Sequence, residues 1–357
     1  MSDATVSVHE TIDDLNANQW NNVVHGSKLG SVFHRYEWLR AIERGLGRPA
    51  RHVVVAKKGN PVALFPNFLD PIDLPVDSVP AVGSVADRLG LRRLVSIAPG
   101  FGGPLVTSSE REYLPVVFEA LAEACGSEAT YHAVKTDSVG YTRYGKFLAG
   151  EGYDARLLNC RFVLDLDAAF DDLVDGMDKT RRRALRRARE QDYEVESTPM
   201  TEAVAADVYP AYRKNMERIG GGIHPRSFFE RLAAEMTDRL RVFTARVDGE
   251  TVGRYVHVLD DERSAIQYFF SAIPDEGDLE RSPSELLHGG AIEWAMDEGY
   301  SRYDFGATGA DFTDGVFRYK QQYGGRIVPA VTWQKGYAPL KWNAFKLGRR
   351  AYQRANY

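Results

Sequence analysis

Residues 300–326 read YSRYDFGATGADFTDGVFRYKQQYGGR, and this stretch decides the fold. Tyr303–Gly306 is a short run of large side chains ending in glycine, the pattern of a buried strand that closes into a turn. A small, polar segment follows as a loop. A helix carrying Tyr319 and Lys320 comes next, closed by Gly324-Gly325. Just upstream, Ser282–Gly299 has apolar residues at helical spacing behind a serine cap. Helix, buried strand ending in glycine, then a helix with one central lysine is an α/β succession.

Working outward, the chain repeats itself. RHVVVAKKGNPVALFPNFLD (Arg51–Asp70) and LRVFTARVDGETVGRYVHVLD (Leu240–Asp260) both read as β-hairpins, turning at Lys58-Gly59-Asn60 and at Asp248-Gly249. Farther along, YHAVKTDSVGYTRYGKFLAGEGYDARLLNCRFVLDL parallels YDFGATGADFTDGVFRYKQQYGGRIVPAVTWQKG, each as strand, loop, helix with an Arg-Tyr start, glycine turn and strand. The expectation is an α/β (α+β) fold of two tandem units with mixed, mostly antiparallel sheets. Residues 1–165 form the first unit, 166–338 the second, and 339–357 a basic, aromatic C-terminal helix.

The succession around Lys320 resembles the end of the GNAT acyltransferase fold. More narrowly, YDFG…FRYKQQYGG is similar to the Fem family of nonribosomal peptidyl transferases and its acetyltransferase-like relatives. That family has two such units, so the resemblance spans nearly the whole chain and is strongest from Val174 to Trp333. SVFHRYEWLRAIERGLG is similar to the family's opening helix. Where members that bind peptidoglycan precursors carry a lysine after the tryptophan, this chain has Arg40 and Arg44 after Trp38. The long coiled-coil insertion of some members is missing. The resemblance implies acyl transfer to an amine of a cell-envelope precursor or similar anionic metabolite.

It also implies roles. Lys320 is the catalytic candidate: its charge beside the reacting carbonyl would stabilise the oxyanion, an effect of about 3–4 kcal/mol in comparable sites. Tyr319 is its aromatic partner. Asp304 at the strand end, with Asp311 and Asp314 in the loop, offers a proton acceptor, and Asp304 reads equally as a structural cap. Arg218 matches the arginine of the family's turn that faces phosphate or carboxylate, and reads equally as a surface arginine. Arg263–Ile273 is a central strand that in a GNAT unit splays from its neighbour to hold the acyl donor, with Tyr268 placed toward that opening or in the core. In the first unit Gly145-Lys146 stands where the second has Lys320, so that unit is expected to be a substrate platform.

The donor is left between aminoacyl-tRNA and acyl-CoA. Enzymes using coenzyme A hold its pyrophosphate with a glycine-rich loop and a helix N-terminus. Here the loop is PDEGDLERSPSELL, with one glycine and four acids ahead of Arg281; Arg281 and Ser284 remain for a donor. KTRRRALRRAR (Lys179–Arg189) holds seven basic residues in eleven. On a helix most of them, Arg182, Arg183 and Arg186 included, fall in an arc of roughly 160°, with Ala184, Leu185, Ala188 and Arg181 on the other side. That stripe is either a solvated face or a seat for phosphates, including those of charged tRNA.

Charge and composition set the bounds. The net charge of −5 hides an asymmetry, since no Asp or Glu follows Asp314 while nine Lys and Arg do. The tail, with Trp342, Phe345, Leu347 and Tyr352 among those bases, is read as a packed helix or as a peripheral contact with an anionic membrane or RNA. Two distant cysteines and scattered histidines give no metal or disulfide pattern, so no metal and no bound cofactor are expected. The acidic N-terminus has no apolar core, and the expected setting is the cytosol, with peripheral contact at the inner membrane face. Two alternatives stand: an acyl-CoA-dependent N-acetyltransferase acting on an amino sugar or polyamine, and a non-catalytic protein binding nucleic acid or membrane.

Overall fold

Alternating apolar residues build most strands of this chain, and the computed structural model describes residues 4–72 and 91–356, with side chains as far as residue 348. Packing divides the chain into two compact units. One holds Met1–Leu39, Gly47–Arg156 and Val331–Tyr357, the other Arg40–Leu46 and Leu157–Ala330.

In the first unit β1 (Ala4–His9), β2 (His52–Lys57) and β3 (Asn60–Phe65) pair antiparallel, with the short β6 (Leu105–Val106) beside β3. Next, β4 (Phe68–Pro71) pairs antiparallel with β5 (Arg92–Val95), which runs parallel to β7 (Tyr131–Lys135). Helices α1 (Ala17–Gly26) and α3 (Glu110–Cys125) pack on these strands. Between them in sequence lies α2 (Tyr36–Leu46), and α4 (Gly145–Gly150) follows β7. The segment after β5 folds back into the gap where β5 and β7 part: Ser96 N donates to Ala133 O (3.0 Å) and Gly102 N to Lys135 O (2.7 Å).

In the second unit the order is β9 (Tyr193–Pro199), β10 (Leu240–Val247), β11 (Glu250–Asp260), β12 (Ala265–Ala272), β13 (Arg302–Gly309) and β8 (Asp154–Asp165), antiparallel except where β12 meets β13. Two short helices, α5 (Phe170–Asp175) and α6 (Lys179–Ala188), precede β9. The long α9 (Pro283–Asp297) lies across β9–β11 and beside α6; α7 (Glu202–Ile219) packs on β12 and against α8 (Arg226–Met236). The core joins Leu185, Phe243, Ile266, Leu287, Ile292, Tyr303 and Phe305, all buried. Ser282 does not cap α9 with its hydroxyl: it takes a left-handed conformation and Pro283, which has no N–H to satisfy, opens the helix.

The repeat is carried in the backbone. Both hairpins turn through two successive positive φ angles, Lys58 and Gly59 (51° and 79°) and Asp248 and Gly249 (51° and 78°), which a two-residue turn between twisted strands requires. Each unit then has one parallel contact of three residue pairs, Arg93–Val95 with Tyr131–Ala133 and Ala265–Gln267 with Arg302–Asp304. The last strands are exchanged. β8 follows the helix of the first repeat yet pairs with β13, and β14 (Arg326–Gly336) follows α10 (Gly315–Gln321) of the second repeat yet pairs with β7. That exchange sets the packing boundaries at 156/157 and 330/331, inside these strands. In α11 (Pro339–Asn356) Trp342 is buried, tilted against Tyr131 and stacked on Phe345, so these aromatic rings of the tail pack inward. The side chains of Arg349, Arg350, Tyr352 and Arg354 lie outside the described residues.

Candidate active site

Three pairs into their parallel contact, β12 and β13 part. The pairing of β13 with β8 slips between Asp304 and Ala307, and Gly306 turns at φ +72°, where a side chain is strained. A Cβ on Gly306 would stand 2.5 Å from Tyr268 O, so the strands separate here around a residue that only glycine fits. The bulge frees the carbonyls of Gly306 and Ala307 from the sheet, and Lys320 takes both: Nζ donates to Gly306 O (3.2 Å) and Ala307 O (2.9 Å).

Lys320 reaches them because Asp314 caps α10, its Oδ1 accepting from Phe317 N at 2.9 Å. Phe317 and Lys320, three apart on the helix, share the buried face. Burial lowers the Lys320 pKa to about 8, against the pull of Asp304. Its ammonium lies 5.6 Å from the Tyr268 ring.

A cleft of about 520 Å³ opens at this point, inside the second unit. Tyr268 and Phe270 of β12, Ser284 and His288 of α9, and Tyr319 and Lys320 of α10 wall it. Tyr255 OH donates to Ser284 Oγ (2.8 Å), and burial holds the phenols of Tyr255 and Tyr319 well above the usual range and that of Tyr268 at about 12, so all stay neutral. Arg218 lines the cleft from the end of α7, its guanidinium donating to Asn215 Oδ1 (2.5 Å). Lys320, Tyr319, Tyr268, Ser284 and Arg218 are therefore brought together.

The other sequence candidates stand elsewhere. Asp304 is buried in an ion pair with Arg161 and accepts from Gly306 N at 2.9 Å, which makes it the pin of the bulge and not a wall of the cleft. Asp311 holds Thr313. Arg281 pairs with Glu250 (2.8 Å) on the surface. Arg182, Arg183 and Arg186 face outward; Arg182 donates to Asp175 O and Arg186 pairs with the exposed Asp175 carboxylate.

The arginine that the helical wheel put on the apolar side is the one that packs against a wall of the site. Arg181, 8% exposed, stacks on Tyr319 (4.1 Å) and Tyr323 (5.0 Å), pairs with Glu285 and donates to Gln322 Oε1 (3.0 Å). Burial pushes the Glu285 carboxyl up, with Arg181 opposing. Two histidines are also new: His288 Nδ1 and His257 Nε2 each lie 2.7 Å from Tyr303 OH. The signal available for them was spacing, since Ser284 and His288 share a helix face and Tyr255 and His257 a strand face.

Residues 177–321, which hold the cleft and every one of its walls, match the family model of the acetyltransferase (GNAT) domain. The segment is a GNAT acyltransferase domain. Solved structures extend the likeness over the chain. A crystal structure of FemX superposes with a TM-score of 0.68 at 14% identity, covering 92% of this chain and 98% of that one. A tandem GNAT protein from the clavulanic acid biosynthesis pathway gives 0.56 at 13% identity (94% and 98%), and L-PGS from Bacillus licheniformis 0.56 at 13% (94% and 96%). No curated protein matches the chain. At these identities the likeness is one of fold, and it covers both tandem units. The GNAT domain makes the chain an acyltransferase. Among the described residues no cluster of His, Cys, Asp and Glu is placed to hold a metal ion, and no helix is long and apolar enough to cross a membrane. Cys125 and Cys160 are buried and free. Burial raises the pKa of the Cys160 thiol, the opposite of what a nucleophile needs.

Proposed function

We propose that the cleft moves an acyl or aminoacyl group directly to an amine, in the manner of the Fem-like enzymes, with Lys320 stabilising the oxyanion. The observation that carries this reading is a lysine, 5% exposed, with its pKa near 8, at the opening between β12 and β13. A cation held in a site walled by aromatic rings acts on developing charge with little screening. The amine nitrogen bonds to the carbonyl carbon and the displaced electron pair collects on oxygen beside the ammonium. Collapse then releases the alcohol or thiol of the donor.

The mouth of the cleft speaks to the acceptor. Ile219, Leu279 and Val316, from three separate segments, line it while remaining 62%, 45% and 53% exposed. Apolar side chains gathered at a mouth favour an acceptor with a hydrocarbon portion, as a lipid-linked cell-envelope precursor has. Arg218 beside them favours a phosphate or carboxylate on the same molecule.

For the donor, an aminoacyl ester of tRNA fits the acidic segment better than acyl-CoA does. Asp275, Glu276, Asp278 and Glu280 precede α9, whose first turn carries Glu285, a poor setting for a pyrophosphate. The acyl-CoA reading keeps the support of the family model. Thermal-shift titration with acetyl-CoA, coenzyme A and an aminoacylated RNA minihelix at two salt concentrations tests both. Stabilisation by the aminoacylated RNA that survives salt and needs the aminoacyl group supports the proposal. A saturable shift with the CoA compounds replaces the donor, and salt-sensitive RNA binding indifferent to the aminoacyl group sinks catalysis in favour of plain polyanion binding.

A further inference from the structure

To act on developing charge, Lys320 needs a fixed place and its proton, and both trace to a carboxylate that does not wall the cleft. Asp304 is buried, and its two oxygens have separate partners. Oδ2 takes Arg161 Nη1 in an ion pair, and Oδ1 accepts from Gly306 N at 2.9 Å. Gly306 is therefore tied at its N–H to Asp304 and at its carbonyl to Lys320 Nζ (3.2 Å). A glycine at φ +72° has many other conformations open to it. The pin selects the one in which the carbonyls of Gly306 and Ala307 meet at the ammonium.

Only a carboxylate suits this position. Both partners, the guanidinium and the backbone N–H, are donors. An amide has one acceptor oxygen and would turn its NH₂ toward the other donor, so asparagine can serve one partner and not both. Arg161 completes the arrangement. It stands on β8 opposite Ala307, where the pairing with β13 slips. Since β8 follows the helix of the first repeat, a strand from that repeat locks the lysine of the second.

We infer that Asp304, clamped by Arg161, is the positioning residue of Lys320: it fixes the two carbonyls that orient the ammonium and sets a negative charge behind it. The inference rests on the acyl-transfer reading above for what Lys320 does, and on these hydrogen bonds for how Lys320 is held. The charged and titratable groups facing Lys320 are Asp304 on β13, Cys160 on β8, Asp314 at the cap of α10 and His288 on α9, with the Tyr268 ring of β12 5.6 Å away. Burial draws the lysine down to about 8, and Asp304 is the strongest of the charges that oppose it.

Two variants separate place from charge. In Asp304→Asn the amide oxygen stays with the guanidinium, and the pin on Gly306 is lost. In Asp304→Asn with Arg161→Met the oxygen is free for Gly306 N, and only the charge is lost. NMR of the full chain labelled with carbon-13 and nitrogen-15 in lysine follows the proton directly, Lys320 being the signal that Lys320→Met removes. Lys320 is expected to lose its proton near pH 8 in the wild type and about one pH unit lower in the double variant. A Lys320 that titrates at the wild-type pH in the folded double variant overturns the inference, whether or not the chain transfers acyl groups. The kinetic arm applies to wild-type protein shown to acylate a weakly basic amine. Asp304→Asn then lowers kcat about 10–10²-fold with KM little changed. The double variant regains most of that loss on the acid side, where its lysine is charged, and its rate falls away at lower pH than that of the wild type. A folded double variant as slow as Asp304→Asn at every pH would give Asp304 a direct part in the reaction and overturn the inference, as would a wild-type kcat in Asp304→Asn. A wild type that transfers nothing sinks the transfer reading and leaves the lysine titration to decide the positioning.

Discussion

A lysine taken out of water sheds its charge unless something holds it, and at Lys320 two carbonyls and Asp304 hold it only in part. The sign of its pH dependence follows. The ammonium, present below about pH 8, stabilises the oxyanion, so the rate should fall as pH rises through that value. A weakly basic acceptor amine separates this limb from deprotonation of the acceptor. Lys320→Arg should move the limb out of the measurable range, and a limb that stays near 8 would assign it to another group. Lys320→Met should lower kcat about 10²–10³-fold. Lys320, Tyr319 and Tyr268 were singled out in the sequence by the family resemblance of the segments around them, Tyr268 as either cleft or core, and the structure places all three on the cleft. Arg181 was not singled out. The wheel placed it inward, yet its partners Glu285 and Gln322 are more than a hundred residues away, and no local pattern announces a buried ion pair.

Elements turn that difference between arginines into a measurement. On α6, Arg181 holds Glu285 inside the protein while Arg183 faces water. Arg181→Met leaves a buried carboxylate alone and should cost about 3–5 kcal/mol, whereas Arg181→Met with Glu285→Gln recovers much of it. Arg183→Gln should stay within about 0.5 kcal/mol. Urea denaturation reads both, and equal effects would refute the assignment of faces. The bulge of β13 makes a second test. Gly306→Ala meets a left-handed backbone and the Tyr268 carbonyl together, for a loss of about 2–4 kcal/mol. Gly309→Ala, with open space around it, should be nearly neutral. The hairpins and the strand–loop–helix order were readable because turns and periodicity are local. The slip at Asp304 was not, since a register shift is decided by the partner strand.

At the scale of the molecule the candidate site lies in the second unit of a tandem fold. The parting of β5 and β7 is filled by the chain's own segment 96–103, and Lys146 lies exposed on α4. Lys146→Met should leave the transfer rate within about twofold, since exposed substitutions away from a site change little; a loss matching that of Lys320→Met would reveal a second working site.

The exchange of last strands reaches past catalysis into inheritance. A gene that doubles by simple tandem copying can at first be cut at the seam to return two working halves. With β8 and β14 exchanged, any single cut between the repeats strips the first half of β14, and a cut after β8 strips the second half of β8 as well. From then on the halves travel together, because the second half's sheet is finished with residues that follow the first half's helix.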